Sequence, residues 1–168
     1  MNNLLISNSL RFIGLVLIQV LVFNNINLFG YLNPFIYIIF IFLYPVRKNP
    51  VSILILSFLL GLSVDFFSDS GGINAAASVF IAFIRLPILK AVLRKSDFDH
   101  ILFNLRSLSF SKIFLYITTL TFIHHFIVFS LEYLSFDSFI DIISNTFFTS
   151  IFTIILSVLG ILFFAKKK

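Results

Sequence analysis

Of the 168 residues, 60% are hydrophobic and only 11% are charged, whereas a soluble domain carries roughly 25% charged residues. The mean hydropathy of +1.10 indicates a polytopic membrane protein, and the lack of cysteine excludes disulfide bonds and thiol catalysis. The net charge of +5 does not indicate nucleic-acid binding, because the basic residues fall in short connections between apolar segments.

Long apolar segments recur along the whole chain. We predict six membrane spans, at residues 10–28, 31–44, 51–67, 73–93, 113–131 and 142–165. Several are close to the roughly 20 residues that a helix needs to cross a bilayer, while the second and third are shorter. The predicted fold class is therefore an all-α integral membrane protein with one domain.

The distribution of charge predicts the orientation in the membrane. Arg47 and Lys48 lie between the second and third spans, five basic residues lie at the end of the fourth span and in its connection to the fifth, and three lysines end the chain. The connections at residues 24–33, 65–72 and 132–141 contain no lysine or arginine and hold five of the seven acidic residues. The positive-inside rule therefore predicts that both termini are cytoplasmic and that Arg47 and Lys48 lie on the cytoplasmic surface.

Polar residues interrupt the apolar sequence between the third and fourth spans. Asp65 lies within a span, where a carboxylate costs roughly 2.5–3.5 kcal/mol on insertion scales and so needs a partner. Asp69 follows, and Gly71 and Gly72 permit the backbone angles of a tight turn. Asn74 stands at the predicted N-cap of the next helix. These residues predict a helical hairpin whose turn lies at the outer membrane surface.

Arg85 lies about 12 Å inside the predicted cytoplasmic end of the fourth span, which is too deep for comfortable snorkelling to water. We expect it to face protein or a wet cavity. An ion pair between Asp65 and Arg85 is one hypothesis, with a separation of roughly 9 Å along the membrane normal. Arg85 continues a face of small residues that favours close helix packing, formed by Ala75, Ser78 and Ala82.

The longest polar connection contains a predicted amphipathic helix at about residues 97–105. Its apolar residues follow the spacing i, i+3, i+4 and i+7, and they are Phe98, Ile101, Leu102 and Leu105. Such a helix lies on the inner leaflet and offers a surface for lipid or for a cytoplasmic partner. We interpret its acidic residues and histidine as its polar face and not as a metal site.

No motif in the chain predicts catalysis. A nucleophile–base arrangement, a zinc-binding helix and a nucleotide-binding glycine motif are all absent from the sequence. His124 and His125 point about 100° apart on a helix, so we predict structural hydrogen bonds for them and not a proton relay. A stripe of small and hydroxyl residues on the last span predicts helix packing. We therefore expect no catalytic residue, no metal and no cofactor.

The spacing Gly61-x-x-x-Asp65, followed by Gly72-Ile-Asn74-Ala75, resembles the pattern of the MreD family. MreD is the small membrane subunit of the bacterial cell-elongation machinery, and the length and hydrophobic layout of the chain agree with it. One departure is Gly71, where a proline would be expected before the last glycine. The resemblance implies that Gly61, Asp65, Gly72 and Asn74 shape the hairpin and its contact surface.

The resemblance also implies a function and partners. It implies a non-catalytic scaffold of the bacterial inner membrane that acts in lateral wall synthesis and rod shape. The expected partner is MreC, with the glycosyltransferase RodA, its transpeptidase partner and the MreB filament nearby. Beyond these, the lipid bilayer is the expected contact, nucleic acid is not expected, and self-association stays open.

An alternative function is a small-molecule-binding subunit of an energy-coupled vitamin transporter, since the MreD fold resembles those subunits. The discriminating feature is a pocket of convergent polar and aromatic groups under an outer loop. Asp65, Asp69 and Asn74 alone are too few and too acidic to predict such a pocket. A channel or proton-coupled carrier would need a polar path through several spans, which only Arg85 and the histidine pair suggest.

Overall fold

The computed structural model describes residues 2–26, 32–46, 50–94, 108–133 and 139–164, and its regular elements are helices. Seven are α-helices: α1 (Asn2–Ile18), α2 (Asn24–Ile26), α3 (Ile39–Leu43), α4 (Val51–Ser68), α5 (Ile73–Leu93), α6 (Phe110–Tyr133) and α7 (Phe139–Phe164). A π-helical turn at Gln19–Phe23 joins α1 to α2, and a 3-10 turn at Ile36–Ile38 precedes α3. The all-α prediction is confirmed.

Within the described ranges, five helical segments are long and apolar enough to cross a membrane. They are Ile6–Ile26, Val51–Ser68, Ile73–Leu93, Phe110–Tyr133 and Phe139–Ile161. These segments correspond to the first predicted span and to the third through the sixth. The chain is thus a multi-pass membrane protein.

The continuous helix predicted over residues 31–44 is not formed in the described part of that segment. Only the 3-10 turn at Ile36–Ile38 and the five residues of α3 are helical there. Tyr44 already has an extended backbone, with φ −62° and ψ 137°. Every residue from 36 to 42 is buried by the surrounding protein. The apolar character of this segment therefore reflects burial in a protein core and not exposure to lipid.

The short segment lies in the middle of the bundle. Phe12 of α1 packs edge-on against Phe40 with ring centroids 5.5 Å apart, and Phe42 packs against Tyr116 of α6 at 6.1 Å. Around it, α4 packs on α5, α5 on α6, and α6 on α7. This arrangement puts the polar side chains of the surrounding helices next to the broken segment.

Several predicted features lie outside the described residues. They include the amphipathic helix at about residues 97–105 with Phe98, Ile101, Leu102 and Leu105, and the turn that holds Arg47 and Lys48. These features stay predictions.

Candidate functional site

Asp65, which is only 3% exposed, caps the helix that follows its own. Its Oδ1 accepts hydrogen bonds from the backbone N–H of Asn74 (2.9 Å) and from the Asn74 side-chain amide (3.0 Å), and its Oδ2 accepts from the N–H of Ala75 (2.8 Å). The Ser70 hydroxyl donates a further bond of 2.5 Å to Oδ1. The two backbone donors belong to the first turn of α5, where no carbonyl of the helix can reach them. A carboxylate at this end also interacts favourably with the helix dipole.

The turn between α4 and α5 differs in one respect from the prediction. Asn74 is not the N-cap, because Gly72 occupies that position with φ 95° and Asn74 is the second residue of the helix. The cap comes instead from Asp65. Left-handed backbone angles occur at Asp69 (φ 52°), Gly71 (φ 65°) and Gly72, and the Asp69 side chain is exposed. Glycine adopts these angles without steric cost, and aspartate tolerates them.

Gly61 allows α4 and α5 to touch along their backbones. A Cβ added at Gly61 would lie 2.5 Å from the Cα of Ala75 and 2.5 Å from the carbonyl oxygen of Asn74. Both obstacles are backbone atoms, so no side-chain movement would relieve the clash. Small residues permit this kind of close approach in membrane helices. Gly61, Asp65, Gly72 and Asn74 thus all lie at one α4–α5 junction.

Arg85 binds the end of α3 and not Asp65. Its side chain is 4% exposed, and it donates hydrogen bonds to the carbonyl oxygens of Ile41 (2.7 Å) and Tyr44 (2.6 Å). A cation at a helix C-terminus satisfies carbonyls that lack a helical partner. Ten residues separate Ala75 from Arg85, which is about 15 Å along α5. The hypothesis of an Asp65–Arg85 pair is therefore wrong, since each group binds backbone at a different depth.

Two more side chains satisfy the backbone where the predicted second span is broken. Gln19 accepts a hydrogen bond from the N–H of Ile36 (2.8 Å) and donates one to the carbonyl of Pro34 (3.1 Å). The hydroxyl of Thr153 accepts a bond from the N–H of Phe35 (3.1 Å). Non-helical backbone at membrane depth is tolerated only where protein or water supplies such partners. Sequence reasoning missed Gln19, whose signal was a single glutamine inside an apolar span.

A buried chain of hydrogen bonds connects Asp65 to the middle of the bundle. The Tyr37 hydroxyl donates to Oδ1 of Asn74 (3.0 Å) and lies 2.9 Å from Nε2 of His124. Because the phenolic proton already serves Asn74, Nε2 of His124 must be the donor to Tyr37. The amide of Asn74 in turn donates to Asp65. All donors of this chain point toward the Asp65 carboxylate.

His125 is held by a different set of partners. Its Nδ1 lies 2.8 Å from the carbonyl oxygen of Thr121, so Nδ1 is the donor, and its Nε2 lies 3.0 Å from the hydroxyl of Thr153. The Thr153 hydroxyl therefore donates to His125 while it accepts from the Phe35 N–H. Both histidines thus make hydrogen bonds within the protein, as the sequence predicted.

A pocket of about 730 Å³ lies at the end of the bundle that carries the α4–α5 turn. Its apolar lining consists of Val20, Phe35, Phe67, Ile73 and Val128. Its polar lining consists of amides, hydroxyls and carboxylates from separate segments, namely Asn24, Asn25, Asn33, Ser68, Asp69, Ser70, Asn74 and Glu132. The sequence did not predict this pocket, because its groups converge only after α2, α4, α5 and α6 have packed.

The chain matches no family model, no curated protein and no solved structure. Two features of the described residues therefore carry the functional interpretation. One is the α4–α5 junction built by Gly61, Asp65 and Asn74, and the other is the polar pocket above it.

Proposed function

We propose that the protein is a non-catalytic scaffold of the bacterial inner membrane, similar to MreD, which binds MreC and helps to organise lateral peptidoglycan synthesis and cell shape. One observation carries the proposal. The residues on which the resemblance rests, Gly61, Asp65, Gly72 and Asn74, meet at the α4–α5 junction and hold the two helices in backbone contact. RodA, its transpeptidase partner and MreB are further proposed neighbours.

The partners of the two buried charged residues favour a rigid scaffold over a moving carrier. Asp65 caps α5, and Arg85 binds the carbonyls at the end of α3. Separating either group from its partners would leave buried donors or acceptors unpaired, which costs about 1–3 kcal/mol for each one. The elements α3, α4 and α5 are thereby tied into one unit. Such a unit can hold a partner helix in a fixed position.

We propose the outward face of α4 as the contact surface for the single span of MreC. Phe58, Leu62 and Phe66 recur every four residues and so share one face of the helix, and all three are exposed. Ser57, Gly61 and Asp65 are buried on the neighbouring face, about 100° around the helix. A helix that packs along this stripe would bury apolar side chains against a backbone fixed by the junction.

We also propose that the chain crosses the membrane six times, with both termini in the cytoplasm. Residues 32–46 supply the second crossing in broken form. Eight helical residues and seven non-helical ones can reach at most about 35 Å, which is enough for the roughly 30 Å of the hydrocarbon core. The side chains of Gln19, Thr153 and Arg85 make such a crossing tolerable. Six crossings are also what the substrate-binding subunits of energy-coupled vitamin transporters have.

The test is an affinity pull-down of the tagged protein in mild detergent, with identification of the co-eluting proteins by mass spectrometry. Wild type is compared with Asp65→Ala and with Asp69→Asn, an exposed acidic residue four positions further on. We expect MreC and elongation enzymes with wild type and Asp69→Asn, and less of them with Asp65→Ala. A wild-type eluate without MreC would contradict the scaffold.

The pocket favours a second function, that of a small-molecule-binding subunit of an energy-coupled vitamin transporter. Its volume of about 730 Å³ is within the roughly 300–1,000 Å³ typical of ligand pockets. It combines the amides, carboxylates and aromatic rings that recognition of a small molecule requires. In the same pull-down this function predicts an ATPase module and a bound vitamin. Recovery of MreC without either would remove this second function.

A further inference from the structure

We propose that the pocket binds a small organic cation, whose ammonium group is attracted by the carboxylates of Asp69 and Glu132 and by the aromatic rings of Phe35 and Phe67. This inference rests on the small-molecule-binding function proposed above and names the chemical class of its ligand. It does not depend on whether the protein also binds MreC.

The charge around the pocket selects the sign of the ligand. Asp69 ends α4 and Glu132 lies near the end of α6, and both line the pocket. Among the described residues, the lining contains no lysine or arginine. The sequence of the three outer connections, residues 24–33, 65–72 and 132–141, contains none either. Clefts lined by one sign of charge concentrate ligands of the opposite sign.

The α5 helix start, which would otherwise attract an anion, is already neutralised. Its free N–H groups at Asn74 and Ala75 donate to the buried carboxylate of Asp65. Helix N-termini bind phosphates and carboxylates through such donors, and here the protein fills the site itself. An anionic ligand would therefore meet two carboxylates of the lining without this compensating helix end.

The other polar side chains of the lining already have partners within the protein. Asn24 donates to the hydroxyl of Ser68 (2.8 Å) and accepts from Gln19 (2.9 Å). Asp69 and Glu132 are exposed, and within the described part of the chain they make no such bond. The aromatic lining adds cation–π attraction. The two carboxylates are thus the groups left to meet a ligand.

The chain contains no tryptophan, so one introduced indole reports on the pocket alone. In Phe67→Trp the indole replaces a side chain of the pocket lining. In the matched control Phe66→Trp it replaces the neighbouring side chain, which does not line the pocket and is 81% exposed. Both full-length proteins are titrated in detergent with choline, with its uncharged isostere 3,3-dimethyl-1-butanol, and with succinate. Elution profiles check that each variant is folded.

We expect a saturable emission change with choline in Phe67→Trp and none in Phe66→Trp. The isostere should bind at least about tenfold more weakly, which corresponds to about 1.4 kcal/mol. Adding Glu132→Gln to Phe67→Trp should weaken the binding of choline by a similar factor. Asp141 is an exposed carboxylate that does not line the pocket, so adding Asp141→Asn should leave choline binding unchanged.

Two results would overturn the inference in different ways. Equal binding of choline and its isostere, or tighter binding of succinate, would refute a cationic ligand and leave small-molecule binding intact. No saturable response to any probe would refute the pocket as a ligand site, and the pull-down of MreC would then decide the scaffold separately.

Discussion

The carboxylate of Asp65 on α4 accepts a hydrogen bond of 2.8 Å from the backbone N–H of Ala75 on α5. Together with the bond from the Asn74 N–H, this contact lets one helix cap the next. Gly61 lies one turn before Asp65 and meets the same two residues at backbone distance. The hairpin is therefore held by a polar contact and a steric contact that depend on each other.

The capping role of Asp65 predicts a large effect of its removal. Asp65→Ala leaves two helix N–H groups and the Asn74 amide without their acceptor. We expect the free energy of unfolding to fall by about 2–4 kcal/mol, since a buried unpaired polar group costs about 1–3 kcal/mol. Thermal unfolding in detergent measures the change. The control Asp69→Asn keeps an exposed residue that tolerates a positive φ and should change stability by less than about 0.5 kcal/mol. Equal effects of the two variants would refute the cap.

The close contact at Gly61 predicts that even one methyl group is not tolerated. Gly61→Ala would put Cβ 2.5 Å from backbone atoms of Asn74 and Ala75, so α4 and α5 must move apart. We expect a loss of about 1–3 kcal/mol or more, as for other overpacked sites. Gly14→Ala is the matched control, because nothing lies within 4 Å of an added Cβ there. The melting temperatures of the two variants decide the matter, and a stable Gly61→Ala protein would contradict the contact.

Arg85 and Asp65 should act independently, because they share no partner. Arg85→Met leaves the carbonyls of Ile41 and Tyr44 unpaired, and Arg85→Lys can serve only one of them well. We expect Arg85→Met to lower the free energy of unfolding by about 2–4 kcal/mol relative to wild type, and Arg85→Lys to lower it by less. In a double-mutant cycle with Asp65→Ala, the coupling energy should stay within about 0.5 kcal/mol. A coupling of several kcal/mol would restore the ion pair that the geometry refutes.

Thr153 should matter for its hydroxyl and not for its shape. Thr153→Val keeps the volume but removes the acceptor for the Phe35 N–H and the donor to His125. We expect Thr153→Val to lower the free energy of unfolding by about 1–3 kcal/mol. Thr153→Ser keeps both bonds and should lose only the contribution of one methyl group, about 1 kcal/mol. A Thr153→Val protein that is as stable as wild type would show that the broken segment does not need the Thr153 hydroxyl.

Hydropathy and charge were enough to predict most of the fold. The span at residues 73–93 coincides with α5 (Ile73–Leu93), and the span at 51–67 ends one residue before α4 does. Residues 31–44 do not form the continuous helix that we expected, because an apolar run looks the same whether lipid or protein surrounds it. What distinguishes them is the supply of backbone partners by Gln19 and Arg85, which lie far away in sequence.

The candidate site was predicted only in part, for a similar reason. The sequence showed that Asp65 needs a partner, but a search among opposite charges led to Arg85. Two of the actual donors are backbone amides, which every residue carries and which only helix geometry exposes at a helix start, and the other two are the uncharged side chains of Ser70 and Asn74. The pocket could not be predicted, since Asn24, Asn74 and Glu132 belong to three separate segments that converge only in the folded bundle.

If the α4 face beside the junction binds MreC, as we propose, site-specific photo-crosslinking in the membrane should detect the contact. A photoreactive phenylalanine analogue replaces Phe66 on α4 or Phe147 on α7, which are both exposed apolar positions. We predict a crosslink to MreC from Phe66 that is lost in Asp65→Ala, and none from Phe147. A crosslink from Phe147 alone, or from neither position in a membrane that contains MreC, would rule out this contact surface.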